Sequence, residues 1–197
     1  MSSVGLVILA AGGSTRLGTP KQLLHNEGIS LLRRAAQTAV ASACRPIVVV
    51  LGASMEACLA ELEDLPVSPV ENADWEEGMS ASLRLGMEHL LVSASGPLDA
   101  AIVMLCDQPL LTTQHLEALL TAYRAARCLV VASEYGDTIG VPVLFDASLF
   151  PELLRLKGAH GAKQILARYP HDIQRISFPD GAVDVDTAAD YARLSRL

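Results

Sequence analysis

The stretch Val4-Gly5-Leu6-Val7-Ile8-Leu9-Ala10-Ala11-Gly12-Gly13-Ser14-Thr15-Arg16-Leu17-Gly18-Thr19-Pro20-Lys21 decides how the rest of this chain is read. Its first half is a short apolar run, the pattern of a strand buried on both faces of a parallel sheet. Its second half is a glycine-rich turn carrying two cations. Small residues let a backbone come close to a ligand, and exposed N–H groups suit phosphate oxygens. Arg16 can grip phosphate bidentately, and Lys21 adds a second positive charge nearby. A loop at the carboxyl end of such a strand lies where open α/β sheets bind ligands. The expectation is a triphosphate site. An ordinary strand-to-helix turn is the plain alternative, but that turn has no use for Arg16 and Lys21.

Two familiar phosphate motifs fit poorly. Gly13 to Gly18 has the glycine spacing of a P-loop, yet Thr19-Pro20 follows where a lysine and a hydroxyl residue belong. The dinucleotide fingerprint G-x-G-x-x-G is missing, which speaks against a plain Rossmann oxidoreductase. Pro20 argues for a longer loop.

Working outward from the loop, short β-rich runs alternate with helical patterns. Strands are expected at Gly5–Leu9, Pro46–Leu51, Ala101–Leu105, Leu129–Ala132, Pro142–Phe145 and Ile173–Ser177. Helices are expected at Leu31–Ser42 (capped by Ser30), Ser54–Leu62, Ser80–Leu91, Thr113–Ala126, Gly161–Tyr169 and Thr187–Leu194. That alternation predicts a three-layer, Rossmann-like α/β fold with a mostly parallel central sheet. Glu134–Gly140 reads as a loop break, too short to separate domains. The 197 residues fit a single domain.

Bulk composition narrows the partners. A net charge of −7 argues against nucleic acid as a partner, though a few local cations can still hold an anionic small molecule. No apolar stretch approaches the roughly 18 residues of a membrane span. The run Val4–Ala11 lacks preceding Lys or Arg, so it is not taken for a signal segment. Cys44, Cys58, Cys106 and Cys128 are scattered within or beside apolar segments, as for buried thiols in a reducing cytoplasm. His25, His89, His115 and His171 show no partner pattern and are expected at the surface.

Four further segments carry chemistry. Asp107, in Cys106-Asp107-Gln108-Pro109, follows the apolar run Ala101–Leu105 and either caps a turn or holds Mg²⁺. With the N-terminal loop in the same sheet, the metal role is favoured. In Asp184-Val185-Asp186-Thr187, Asp186 is either a second metal ligand or a partner of the helix dipole, and Asp184 is assigned to the dipole. Thr187 and Asp190 form a capping pair. Gly78 and Ser82, at a helix start beyond Trp75, present a base- or ribose-contacting edge, while Trp75 anchors the loop in the core. His160 and Lys163, in Leu156–Lys163, stand where a second anionic substrate would be contacted.

With these segments aligned, the chain resembles the molybdenum cofactor cytidylyltransferases and their relatives in the molybdopterin nucleotidyltransferase group. The similarity runs nearly end to end, through Leu9–Leu24, Gly78–Gly86, Asp107-Gln108-Pro109, Gly140-Val141-Pro142-Val143 and Asp184–Thr187. The resemblance implies a cytoplasmic Mg²⁺-dependent enzyme moving CMP from CTP to the terminal phosphate of molybdopterin, with a molybdoenzyme as possible partner. It implies nucleotide contacts at Leu9, Ala10, Ala11, Gly12, Gly13, Ser14, Gly78 and Ser82. Arg16, Lys21 and Asp107 take the catalytic roles, Asp107 and Asp186 the metal, and Gly140, Pro142, His160 and Lys163 the acceptor. Ala10-Ala11-Gly12 matches the cytidine enzymes, where guanylyl relatives tend to show Ala-Gly-Gly. Two segments depart: Ile139-Gly140-Val141-Pro142 stands for Arg-Gly-His-Pro, and Gly158-Ala159 with Lys163 for Gly-Asp-x-Gly-Ala-Arg. Both lie in the acceptor half, which leaves sugar- or alditol-phosphate transfer and a non-catalytic cofactor chaperone as rivals.

Overall fold

In the computed structural model, residues 2–15 and 17–194 are described. The strands are β1 (Val4–Ala10), β2 (His25–Asn26), β3 (Ile29–Ser30), β4 (Ile47–Leu51), β5 (Ser68–Glu71), β6 (Ala100–Leu105), β7 (Val130–Tyr135), β8 (Thr138–Asp146) and β9 (Ile173–Ser177). The helices are α1 (Leu31–Ala41), α2 (Met55–Ala60), α3 (Met79–Ser93), α4 (Thr113–Ala126), α5 (Phe150–Leu153), α6 (Lys163–Arg168) and α7 (Ala188–Leu194). Seven strands form one sheet in the order β5-β4-β1-β6-β8-β7-β9, and β2 and β3 make a small separate hairpin. β8 runs antiparallel to both β6 and β7, while the other pairs in the large sheet are parallel.

Period-two alternation splits the apolar strands between two cores. Leu6, Ile8, Val49, Leu51, Ile102 and Met104 face one side, against Leu32 and Ala36 of α1 and Leu116, Leu119 and Leu120 of α4. Val7, Leu9, Val48, Val50, Ala101 and Val103 face the other, against Leu83, Met87 and Leu90 of α3 and Ile165 and Leu166 of α6. Both faces being covered explains why these strands read as unbroken apolar runs. The result is a single three-layer, Rossmann-like α/β domain with a mostly parallel sheet.

Local signals place several helix ends. The Ser30 hydroxyl accepts the Arg33 N–H at 3.0 Å, capping α1. Thr187 and Asp190 cap reciprocally: the Thr187 N–H donates to the Asp190 carboxylate at 2.9 Å, and the Asp190 N–H to the Thr187 hydroxyl at 3.2 Å.

Two expectations need correction, and one strand is unexpected. Glu134–Gly140 is a tight hairpin, because β7 and β8 pair through Tyr135 and Thr138 around Gly136, whose φ is 55°. β5 lacks an apolar run, since it is a largely exposed edge strand where Pro69 is tolerated. His115 lies inside the protein, stacked on Phe178 with ring centroids 4.3 Å apart, and its Nε2 is 2.8 Å from the Ser133 hydroxyl. Ser133 donates to the Pro142 carbonyl at 2.7 Å, so the imidazole Nε2–H donates to Ser133.

The direction of β8 determines which segments gather at one end of the sheet. Its amino end lies on the edge reached by the carboxyl ends of β1, β4, β5, β6, β7 and β9. The Gly-rich turn, Asp107, the segment from Tyr135 to Val141 and the chain after β9 therefore converge on that edge.

Candidate active site

After β1 the chain turns sharply, and a buried glutamine shapes the turn. Gln22 Nε2 donates to the Ala10 carbonyl at 2.8 Å and to the Gly12 carbonyl at 2.7 Å. The Ala53 N–H donates to the Ala11 carbonyl at 3.2 Å. With three successive carbonyls engaged, the main-chain contacts left for a ligand are mainly N–H donors, the polarity an anion needs. The Ser14 hydroxyl accepts the Lys21 N–H at 2.9 Å and so braces the loop from within. Gly13 leaves room for Trp75: a Cβ there would lie 2.8 Å from the indole ring.

Lys21 sits at the centre of the site. Its Nζ is 2.5 Å from Asp107 Oδ2 and 2.9 Å from Asp186 Oδ1, bridging the end of β6 and the segment before α7. Burial alone would lower the Lys21 pKa, but Asp107 and Asp186 outweigh it, and the net shift is upward. Asp184 lies in the same cavity, and its carboxyl is pushed up by burial, then by Asp186 and Asp107. The expectation that Asp184 serves the helix dipole is thereby corrected: it belongs to the cavity's acidic wall.

The residues present fit a hard divalent cation. Asp107 Oδ1 has no hydrogen-bond partner among the described residues, and Asp186 supplies a second carboxylate on the same ammonium. Among the described residues no group of three or more His, Cys, Asp or Glu forms a ready-made cage. Two carboxylates with substrate oxygens in the remaining positions is a common Mg²⁺ arrangement.

Two cavities meet here. One, of about 290 Å³, is lined by Leu9, Ala10, Ala11 and Gly12 on one side and Trp75, Glu76, Gly78 and Ser82 on the other. The second, of about 410 Å³, has Gln108, Tyr135, Gly140, Val141, Lys163 and Asp184 in its walls. Lys21, Met79, Leu105 and Asp107 line both. Of the residues expected at the site, Leu9, Ala10, Ala11, Gly12, Gly78, Ser82, Lys21 and Asp107 come together in the first cavity. Gly140, Lys163 and Asp186 join Lys21 and Asp107 in the second.

Others stand apart. Gly13 and Ser14 are outside the cavity lining and support the loop, Pro142 is buried within β8, and His160 is exposed on the surface. Arg16 lies outside the described residues. Sequence reasoning misses Gln22, Gln108 and Tyr135. A glutamine beside apolar residues, as in Gln22-Leu23-Leu24, is the available signal for the first. Tyr135 gives none, because its place depends on Gly140, where a Cβ would fall 2.5 Å from the tyrosine hydroxyl.

Among the described residues no helix is long and apolar enough to cross a membrane. Residues 6–173 match the family model of the MobA-like NTP transferase domain. The chain is 34% identical to nicotine blue oxidoreductase of Paenarthrobacter nicotinovorans, over 95% of this chain and 94% of that protein. It is 30% identical to the purine catabolism protein PucB of Bacillus subtilis, over 81% of this chain and 78% of the other. It is 29% identical to a probable molybdenum cofactor guanylyltransferase of Bacillus cytotoxicus, over 60% and 56% respectively. Among solved structures, Rv0371c of Mycobacterium tuberculosis H37Rv superposes with a TM-score of 0.83 at 30% identity, covering 100% of this chain and 98% of that one. A manganese complex of Rv0371c matches with a TM-score of 0.79 at 27% identity, covering 100% and 99%. With most of its length matched, the chain belongs to the MobA-like NTP transferase domain family, a family of nucleotidyltransferases.

Proposed function

We propose that this protein transfers CMP from CTP to the terminal phosphate of molybdopterin, releasing pyrophosphate. The observation that carries the reading is the meeting of two cavities at Lys21 and Asp107. Nucleotidyl transfer needs a donor site and an acceptor site that share the groups neutralising charge at the reacting phosphorus. The first cavity holds the nucleotide, with base and ribose against Gly78, Ser82 and the backbone of Ala10 to Gly12. Lys21 exchanges its carboxylates for phosphate oxygens and stabilises charge growing at the α-phosphorus. Arg16 holds the β- and γ-phosphates. Asp107 and Asp186 would hold Mg²⁺, which supplies charge neutralisation on the triphosphate when bound. The acceptor enters the second cavity, against Gly140 and Lys163. The manganese complex of Rv0371c supports a divalent cation, and Ala10-Ala11-Gly12 supports CTP over GTP.

Pyrophosphate release tests this directly, with CTP, GTP and ATP against isolated molybdopterin cofactor, with and without Mg²⁺. CTP-dependent release requiring both cofactor and cation is the expected result. Release with a sugar or alditol phosphate instead would change the acceptor, and CTP binding without release would leave a cofactor chaperone. The similarity to nicotine blue oxidoreductase supplies a second reading, an oxidoreductase. Titration with NADH and NADPH separates it, since the nucleotidyl reading expects no saturable binding of either.

A further inference from the structure

Gln108, in the wall of the second cavity, carries an oxygen that no described residue pairs. Gln108 is 7% exposed, yet its Oε1 is buried with no hydrogen-bond partner among the described residues. Its amide cannot usefully flip. Nε2 donates to the Val141 carbonyl at 3.1 Å and to the Gly181 carbonyl at 3.3 Å, so reversal would set oxygen against two carbonyl oxygens. Val141 belongs to β8 and Gly181 to the segment after β9, so two separate parts of the chain hold the amide in one orientation. A buried acceptor left unmatched is costly, and a ligand donor would recover that cost.

The surroundings define what such a ligand looks like. Leu105, Val141, Leu166 and the Met79 side chain supply apolar surface, and the Tyr135 hydroxyl lies beside the Gln108 amide. Asp184 adds a further acceptor. A cavity with apolar walls and acceptor-rich polar ends suits a flat heterocycle bearing N–H groups better than a polyol. A polyol would leave its carbon-poor faces against leucine and valine.

We propose that Gln108 Oε1 accepts a hydrogen bond from a ring N–H of the second substrate and makes this residue a determinant of acceptor specificity. The inference rests on the nucleotidyl-transfer reading for calling the ligand an acceptor. A site built to bond a donor rejects the analogue that lacks it. The test is a fluorescence titration of the wild-type protein and Gln108→Met with pterin and with its 3-methyl derivative, which lacks the ring N–H. Wild type is expected to bind pterin at least about tenfold more tightly than the methyl derivative. Gln108→Met is expected to bind both equally and weakly, while CTP affinity stays at the wild-type value. Equal binding of the two by wild type overturns the inference, as does discrimination that persists in Gln108→Met. Absence of saturable pterin binding to wild type overturns it as well. Lack of pyrophosphate release with every acceptor, alongside intact discrimination, would sink the transfer reading and leave the Gln108 site standing.

Discussion

Removing the Lys21 ammonium tests the central feature of the site. In Lys21→Met the side chain keeps its approximate length, but Asp107 and Asp186 lose the charge now 2.5 and 2.9 Å away. Both partners of the tighter pair are shielded, with side-chain exposures of 19% for Lys21 and 9% for Asp107. That burial places the pair in the class where deleting one partner costs about 3–5 kcal/mol, far above the 0–1 kcal/mol of a surface pair. Against a total stability of about 5–15 kcal/mol the loss is large, and in a chain of this size it lowers Tm by about 6–20 °C. The assay is thermal unfolding of wild type, Lys21→Met and Lys21→Met/Asp107→Asn near pH 8. The double variant should recover much of the loss, because no uncompensated charge stays buried at position 107. Mn²⁺ should raise the Tm of Lys21→Met more than that of wild type, since a cation then replaces the missing ammonium without competing with it. A Tm for Lys21→Met within about 3 °C of wild type would show that the pair is worth no more than a surface contact. A double variant no more stable than the single one would refute the argument from buried charge.

Three further outcomes are expected. Burial lowers the His115 pKa below its ordinary value of about 6.5, so the unfolded chain binds the proton more readily. Stability should therefore rise with pH up to about 6.5 and fall on acidification below it, and His115→Gln should flatten a urea-unfolding profile across that window. Gln22→Leu strips the Ala10 and Gly12 carbonyls of their donor, which should cost about 2 kcal/mol or more in urea unfolding and weaken CTP binding. Trp75, the chain's single tryptophan, lines the first cavity, and its fluorescence reads ligand binding there without labels. Gly86→Ala should destabilise by about 1–3 kcal/mol in the same unfolding assay, although alanine favours a helix by about 1 kcal/mol. The added Cβ would lie 2.5 Å from Val7 Cγ1 and 2.8 Å from Val50 Cγ2, where α3 packs on the sheet.

Much of the fold is legible in the sequence because its signals are local. The apolar runs of β1, β4 and β6 and the caps at Ser30 and Thr187 each depend on a few neighbouring residues. The lining of the first cavity is partly legible for the same reason, since the turn from Leu9 to Lys21 carries its small residues and cations in one short stretch. The lining of the second cavity is not. Gln108 meets Gly181 across 73 residues, and Tyr135 reaches the cavity through a hairpin whose residues read as a loop. His115 reads as a surface residue because its partners, Ser133 and Phe178, lie far along the chain and leave no periodic trace near it.

The sequence by itself determined the alternation of strand and helix, the glycine-rich turn after the first strand and a carboxylate at the end of β6. Backbone propensity and hydrophobic period act over single turns and strands, and those determinations need nothing more. Only the tertiary structure decided that Lys21 and Asp186, 165 residues apart, share an ion pair, and that Asp184 joins the same acidic wall. It also decided that Gln22 has carbonyl partners and that Gln108 keeps a buried oxygen without one among the described residues. Pairing and burial depend on where the reversed strand β8 brings the chain, and that position is set by the packing of the whole sheet.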